Sequence, residues 1–354
     1  MNNLLVTGAG GYIGTVLVPK LLEKGYSVKA VDRFFFGVDK LQPHPNLMII
    51  HEDCRQLTKE HFRNIDGVID LVAISNDPSG ELYEDVTYEI NYQARVSTAT
   101  LAKKMGVKRY ILPSSCSIYG FQDQDVVVNE HSTTNPLTVY AKANEKAEQG
   151  TLALADEHFT VVVMRQATVY GSSPRMRFDL AINGMTYGAW ENGVIPLMRD
   201  GFQWRPMVHV EDTTDVMCEL LKAESEKING EIFNVGSDRN NYQLGSLAED
   251  IAAALPIDVK IDWYGEPDHR SYRVNFDKIE QTLNWRAKYT AADGALEIFN
   301  HLENGLLKKT TQTITLEWYK ELMKWHRMIK QVDMYGGILE IDKSAQDNSF
   351  ATVK

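Results

Sequence analysis

The run Val6-Thr7-Gly8-Ala9-Gly10-Gly11-Tyr12-Ile13-Gly14 constrains this chain more than any other stretch. It follows a short apolar segment, Asn3–Thr7, and opens a helical pattern with Leu17, Leu21 and Leu22 on one face that stops at Gly25. Gly8 permits a tight turn, Gly11 lets the backbone approach a pyrophosphate, and Gly14 allows close packing of helix on sheet. The helix start, with Tyr12 and Ile13 at its entry, offers main-chain N–H groups to an anion. A strand, this turn and a helix together predict a dinucleotide-binding βαβ unit.

The rest of the first half keeps the same rhythm. Strands are expected at Ser27–Asp32, Leu47–His51, Gly67–Leu71, Arg109–Pro113 and Thr160–Arg165, and helices at Asn91–Lys104 and Val139–Ala155. That alternation predicts an α/β, Rossmann-type doubly wound parallel sheet. After about residue 170 it breaks into loops rich in Gly, Pro and Arg. The expected division is a cofactor-binding domain over residues 1–170 with later strands interleaved, a smaller substrate lobe over 171–312, and a C-terminal helix and tail over 313–354. Trp318, Leu322, Trp325 and Ile329 fall at helical spacing, as in a docked helix or an oligomer contact, and Asp342–Lys354 reads as a frayed tail.

Asp32 closes the second strand, where a carboxylate accepts hydrogen bonds from adenosine ribose hydroxyls and repels a 2′-phosphate, which favours NAD over NADP. Arg33 beside it could instead reach a 2′-phosphate. Asp53 could meet the adenine edge or serve as a cap before Cys54-Arg55.

Composition narrows the function. Lys and Arg number 37 against 48 Asp and Glu, a net charge of −11, so no basic face for nucleic acid is expected. The three cysteines, Cys54, Cys116 and Cys218, show neither metal-ligand nor disulfide spacing, and no metal is expected. No apolar run approaches a membrane span and no signal peptide is visible, so a cytoplasmic protein is expected.

Joined to Ser114-Ser115-Cys116-Ser117-Ile118-Tyr119-Gly120 and Tyr140-Ala141-Lys142-Ala143-Asn144, the glycine motif resembles the extended short-chain dehydrogenase/reductase family, NAD-dependent epimerases and dehydratases of nucleotide sugars, over residues 1 to about 300. The resemblance implies that Ser115 hydrogen-bonds the reacting oxygen. It implies that Tyr140 transfers the proton and contacts the cofactor. Cys54, and Leu71 and Ala73 in the loop after the fourth strand, are implied along the cofactor. The family's usual His in that loop is Asp70 here, for which the sequence offers no role.

The family's lysine, four residues after the tyrosine, is Asn144. Lys142 cannot replace it, because two residues on is about 200° round a helix. Asn144 can hydrogen-bond a ribose hydroxyl but brings no charge to lower the phenol's pKa. Either another cation supplies the field, or the chemistry is attenuated, or Tyr140 is used differently. The Asp-Glu pair of family dehydratases is Cys116-Ser117, so loss of water is not expected.

On the sugar-nucleotide side, Arg205 lines up with the family's diphosphate-binding arginine, although the neighbouring family Asp is Pro206. Arg270 resembles a second phosphate or ribose contact, Arg175 and Arg177 occupy a substrate loop, and Thr168 stands where a substrate-binding Asn is usual. The Ser173–Leu180 and Asp268–Tyr272 stretches are similar to those of GDP-heptose 4-dehydrogenases. The implied function is hydride transfer at carbon 4 of a nucleotide diphosphate sugar, by an epimerase or a dehydrogenase working as a homodimer. A keto-sugar reductase, or a nucleotide-sugar-binding protein with attenuated catalysis, is the alternative.

Overall fold

Val161, Val162, Val163 and Met164 are consecutive, apolar and buried, so their strand must be covered on both faces. In the computed structural model, which describes residues 1–123, 125–266 and 270–333, it is one of seven parallel strands. They are β1 (Asn3–Thr7), β2 (Ser27–Asp32), β3 (Leu47–His51), β4 (Gly67–Asp70), β5 (Arg109–Ser115), β6 (Thr160–Gln166) and β7 (Glu231–Val235). Their spatial order is β7-β6-β5-β4-β1-β2-β3, the doubly wound arrangement whose order reverses at β1. Ligands of such sheets sit at the carboxyl ends of the strands beside that reversal, between β1 and β4 here.

Helix α1 (Gly14–Glu23) packs Leu17, Val18 and Leu21 against Leu4, Val6 and Ala30 on one face of the sheet. The other face carries Ala99 and Ala102 from α3 (Arg95–Lys104) and Ala147 from α4 (Val139–Leu152), against Leu5, Val68, Leu112 and Val161. Burying a Val or Leu side chain contributes about 1.5–3 kcal/mol. A π-helical turn over Glu89–Ala94 runs directly into α3.

A second cluster gathers Ile182, Met185, Leu197, Met207, Leu247, Ile251 and Phe299. It lies beneath two small sheets. Trp204–His209 pairs in parallel with Thr168–Tyr170 and antiparallel with Asn241–Gln243, and Lys260–Tyr264 pairs with Val194–Met198. The chain therefore leaves the main sheet after β6, builds this lobe, returns once to add β7, and goes back. The terminal helix spans Thr315–Val332. Of its expected stripe only Trp318 is buried, its indole N–H donating to the Phe35 carbonyl at 2.7 Å, while Trp325 and Ile329 are exposed. The tail expected at Asp342–Lys354 lies outside the described residues. Among those described, no helix is long and apolar enough to cross a membrane.

Candidate functional site

Gly8 takes a φ of +63°, and a Cβ there would stand 2.7 Å from the Leu71 carbonyl carbon and the Val72 nitrogen. The glycine turn thus lies main chain to main chain on the loop after β4, which brings Leu71 and Ala73 to the same crevice. A Cβ on Gly14 would meet the Gly8 and Ala9 carbonyl oxygens at 2.5 Å, so only glycine lets the helix begin this close under the turn. A Cβ on Gly11 would meet only the Gly8 carbonyl, which leaves its other side open to a phosphate.

Asp32 is fixed by main-chain N–H groups: Oδ2 accepts from Gly10 at 3.0 Å and Oδ1 from Phe34 at 2.7 Å. Burial nevertheless pushes its carboxyl above the ordinary range. A carboxylate has about four lone-pair positions, so each oxygen keeps capacity for a ribose hydroxyl. The open glycine cradle and this pre-set carboxylate fit a dinucleotide with free ribose hydroxyls.

Several side chains named in the sequence take partners within the protein. Tyr12 turns its ring inward, donating from its hydroxyl to the Gly171 carbonyl at 2.6 Å, so only its main chain can serve an anion. Arg33 pairs with Asp53 at 3.2 Å through one nitrogen and lies over Phe35, its side chain about half exposed. Asp53 caps the turn Cys54–Gln56 by accepting from the Arg55 N–H at 2.9 Å. Arg55's side chain is the main cause holding the Asp53 carboxyl down at about 2. Cys54 buries its thiol, which burial raises to about 12, and can offer only main chain.

Asp70, fully buried, accepts from Thr7 and from the Tyr110 hydroxyl, so it belongs to the interior between β1, β4 and β5.

The second half of the site rests on α4. Thr138 caps the helix, its Oγ1 accepting from the Ala141 N–H at 3.1 Å. Tyr140, Asn144 and Glu148 recur at four-residue intervals and so share one face. Glu148 is clamped by Arg165 at 2.8 Å and by Ser114 Oγ at 2.5 Å, which locks α4 against the ends of β5 and β6. Gly80 of α2 (Asp77–Leu82) lets that short helix approach Tyr140, since a Cβ there would lie 3.4 Å from the Tyr140 Cβ.

The structure brings Ser115, Tyr140 and Asn144 together at the strand ends. Burial raises the Tyr140 phenol and Asp77 adds to the rise, while Arg95, Asn144 and Ser115 act to lower it. The position left without a lysine is therefore not without a cation. Arg95, 1% exposed, donates from Nη1 to Asn144 Oδ1 at 3.0 Å.

Among the four arginines assigned to substrate, Arg205 and Arg270 are neighbours. Arg205 donates to the Arg270 carbonyl and lies 5.4 Å over the Tyr272 ring. Thr168 belongs to the same small sheet as Arg205. Arg270 pairs with Asp77, whose other oxygen accepts from Thr138 Oγ1 at 2.6 Å, so this lobe meets the start of α4. The other two depart from expectation. Arg177 is buried in a two-pronged pair with Asp179, at 3.1 and 2.8 Å, and serves to hold its own loop. Arg175 lies 3.6 Å over Phe36 and donates to Thr315 Oγ1 at 2.9 Å, and its main-chain N–H donates to Ser173 Oγ, which in turn donates to the Tyr12 carbonyl of the glycine turn. Its Nε and Nη1 are buried without partners, and burial, with Arg177 close by, lowers its pKa to about 9.

Two residues of the site went unread in the sequence. Asp77 had a signal, because Asn76-Asp77-Pro78 is a helix-start pattern directly after the fourth strand. Arg95 had only a weak one, a charge on the face of α3 that also carries Thr98, Ala99 and Ala102.

Fold and site together define a dinucleotide-binding protein of the doubly wound class, with a tyrosine–serine pair at the strand ends. Comparison makes the assignment specific. The chain belongs to the NAD dependent epimerase/dehydratase family, whose model matches residues 4–236, and its cofactor is NAD. It is 27% identical over 337 residues to putative UDP-arabinose 4-epimerase 2 of Arabidopsis thaliana, covering 84% of this chain and 79% of that protein. It is 25% identical over 322 residues to UDP-glucuronate 4-epimerase of Thermodesulfobacterium geofontis, covering 85% and 96%. The structure of MoeE5 in complex with UDP-glucuronic acid and NAD superposes with a TM-score of 0.76 at 24% identity, over 86% of this chain and all of that one.

Proposed function

We propose that this protein is an NAD-dependent 4-epimerase of a nucleotide diphosphate sugar. The carrying observation is the placement of Tyr140 and Ser115 at the strand ends, between the glycine turn and the lobe that holds Arg205, Arg270 and Thr168. The relatives named as UDP-arabinose and UDP-glucuronate 4-epimerases support the choice of carbon and favour UDP as carrier. Residues 1–170 with β7 serve the cofactor and the remainder mainly the sugar nucleotide. Arg205 and Arg270, side by side in this lobe, give it the cationic character that a diphosphate calls for. Arg175, beside the glycine turn, is better suited to the cofactor's pyrophosphate than to substrate.

Bound NAD supplies a hydride acceptor and donor. Ser115 orients the carbon-4 hydroxyl, and Tyr140, as the phenolate, takes its proton as hydride leaves that carbon. After the keto-sugar turns over, Tyr140 returns the proton to the same oxygen as hydride arrives on the opposite face. Loss of water is disfavoured by the residues present. The Cys116 thiol is buried, raised far above its ordinary value by that burial, and donates to the Arg165 carbonyl at 3.2 Å.

The test is incubation with UDP-, GDP-, CDP- and dTDP-sugars, followed by NMR of the products and mass spectrometry of the released cofactor. Interconversion of carbon-4 isomers with NAD retained is expected, and Tyr140→Phe should remove most of it. A ketone product with reduced cofactor would make the protein a dehydrogenase. Turnover only of a supplied keto-sugar would make it a reductase, and binding without turnover a sugar-nucleotide receptor.

A further inference from the structure

We propose that Arg95 and Asn144 jointly replace the missing lysine: the arginine supplies the positive charge from another helix, and the asparagine holds that charge at the place the lysine would occupy, one turn from Tyr140. The proposal rests on the reading of Tyr140 as the proton-transfer residue.

The geometry is specific. The π-helical turn Glu89–Ala94 inserts directly before Arg95, an irregularity that recurs at functional sites because it re-aims the residues beside it. Asn91 within that turn is fully buried and pins the loop after β4, exchanging bonds with the Ile74 N–H at 2.8 Å and the Ile74 carbonyl at 3.0 Å. From the start of α3 the Arg95 guanidinium reaches under the site. Nη2 donates to the main-chain carbonyls of Asp70, at 2.9 Å, and Pro113, at the ends of β4 and β5. Nη1 donates to Asn144 Oδ1.

That last bond orients the asparagine. With Oδ1 taken by the arginine, the amide nitrogen must face the other way, and Nδ2 donates to the main-chain carbonyl of Tyr140 at 3.1 Å, which fixes the amide on the helix. A residue at 144 accepting from a guanidinium cannot itself be a cation, because two unpaired positive charges in one dry space repel strongly. The loss of lysine at 144 and the presence of arginine at 95 are thus one arrangement. Asn144→Lys alone should not restore the family's field. It should crowd Arg95.

The groups around the phenol act in both directions. Asp77 from α2, itself paired with Arg270, opposes its ionisation. Ser115 from the end of β5, Asn144 from its own helix and Arg95 from α3 favour it. Glu81 of α2 caps the Val139 N–H at 2.9 Å, and on the far side of Arg95 stand the Asp70 carboxylate, Tyr110 and Cys54. Arg95 touches none of the reacting atoms. It acts through the field of a guanidinium that Asn144 holds in place, as a positioning residue.

The experiment reads Tyr140 directly. The full chain with NAD bound is titrated by tyrosinate absorbance, each protein being subtracted against the same background carrying Tyr140→Phe. Arg95→Gln keeps hydrogen-bond donors for the two carbonyls but removes the charge, and should move the Tyr140 ionisation up by about one to three pH units. Arg95→Gln/Asn144→Lys places one cation back in the same space. It should return the ionisation to the unmodified range and supplies a folded reading should the single variant not fold. An ionisation unmoved in Arg95→Gln, or a double variant that leaves Tyr140 as hard to ionise as Arg95→Gln alone, would overturn the proposal. No sugar nucleotide enters this titration, so silence across the substrate panel bears on the proposed function and an unmoved phenol bears on Arg95.

Discussion

Replacing Asp32 by Asn tests the cofactor half of the site most sharply. The carboxylate is held by the Gly10 and Phe34 N–H groups at 3.0 and 2.7 Å, so it is aimed before any ligand arrives. A hydrogen bond to a charged group contributes about 1.5–3 kcal/mol, so Asp32→Asn should weaken NAD about tenfold to a hundredfold. NADP should lose far less, because the same change removes the repulsion of a 2′-phosphate. Asparagine keeps one acceptor oxygen, so only one of the two main-chain N–H groups loses its partner. Alanine would strand both N–H groups, at about 1–3 kcal/mol each, and confuse folding with binding. Titration calorimetry with both cofactors gives the ratio. Equal losses for NAD and NADP would refute the assignment of Asp32 to the ribose.

The same carboxyl predicts a pH dependence. Burial raises its folded-state pKa above the ordinary value, so between the two values the folded protein holds the extra proton. Its contribution to the stability of the cofactor-free protein therefore declines as pH rises through that window. NAD affinity should run the other way, falling as pH drops through the raised value, and should stay flat there in Asp32→Asn.

Arg205→Ala should raise the dissociation constant of a nucleoside diphosphate about tenfold to a hundredfold while leaving NAD affinity within about twofold, measured by calorimetry. Glu148→Ala leaves Arg165 buried and unpaired, with the side chains now only 3% and 6% exposed, and should cost roughly 3–5 kcal/mol in denaturant unfolding. A loss under about 1 kcal/mol would mean that α4 is held chiefly by apolar contacts.

The sheet was legible because its signals are local. Consecutive β-branched runs, a glycine turn and helix-periodic leucines act over a few residues, and six of the seven strands fall at or within two residues of where the pattern puts them. Strand β7, Glu231–Val235, was not visible, since what makes it a strand is pairing with Thr160–Gln166 across an intervening lobe. The glycine turn, Asp32, Ser115 and Tyr140 were legible for the same local reason, each lying at a strand end or a helix start.

What remained hidden was partnership. Arg33, Arg177 and Arg175 look alike in sequence as cations in loops, yet one closes on Asp53, one on Asp179, and one stands over Phe36 with two nitrogens unpaired. Asn144 read as a lost charge until the fold laid Arg95 against it, 49 positions away. By itself the sequence determined which backbone turns could form and which residue types stood at the strand ends. Only the tertiary structure decided which charges neutralise one another. A turn is specified by the dihedral limits of adjacent residues, whereas an ion pair needs two distant segments to share one desolvated space.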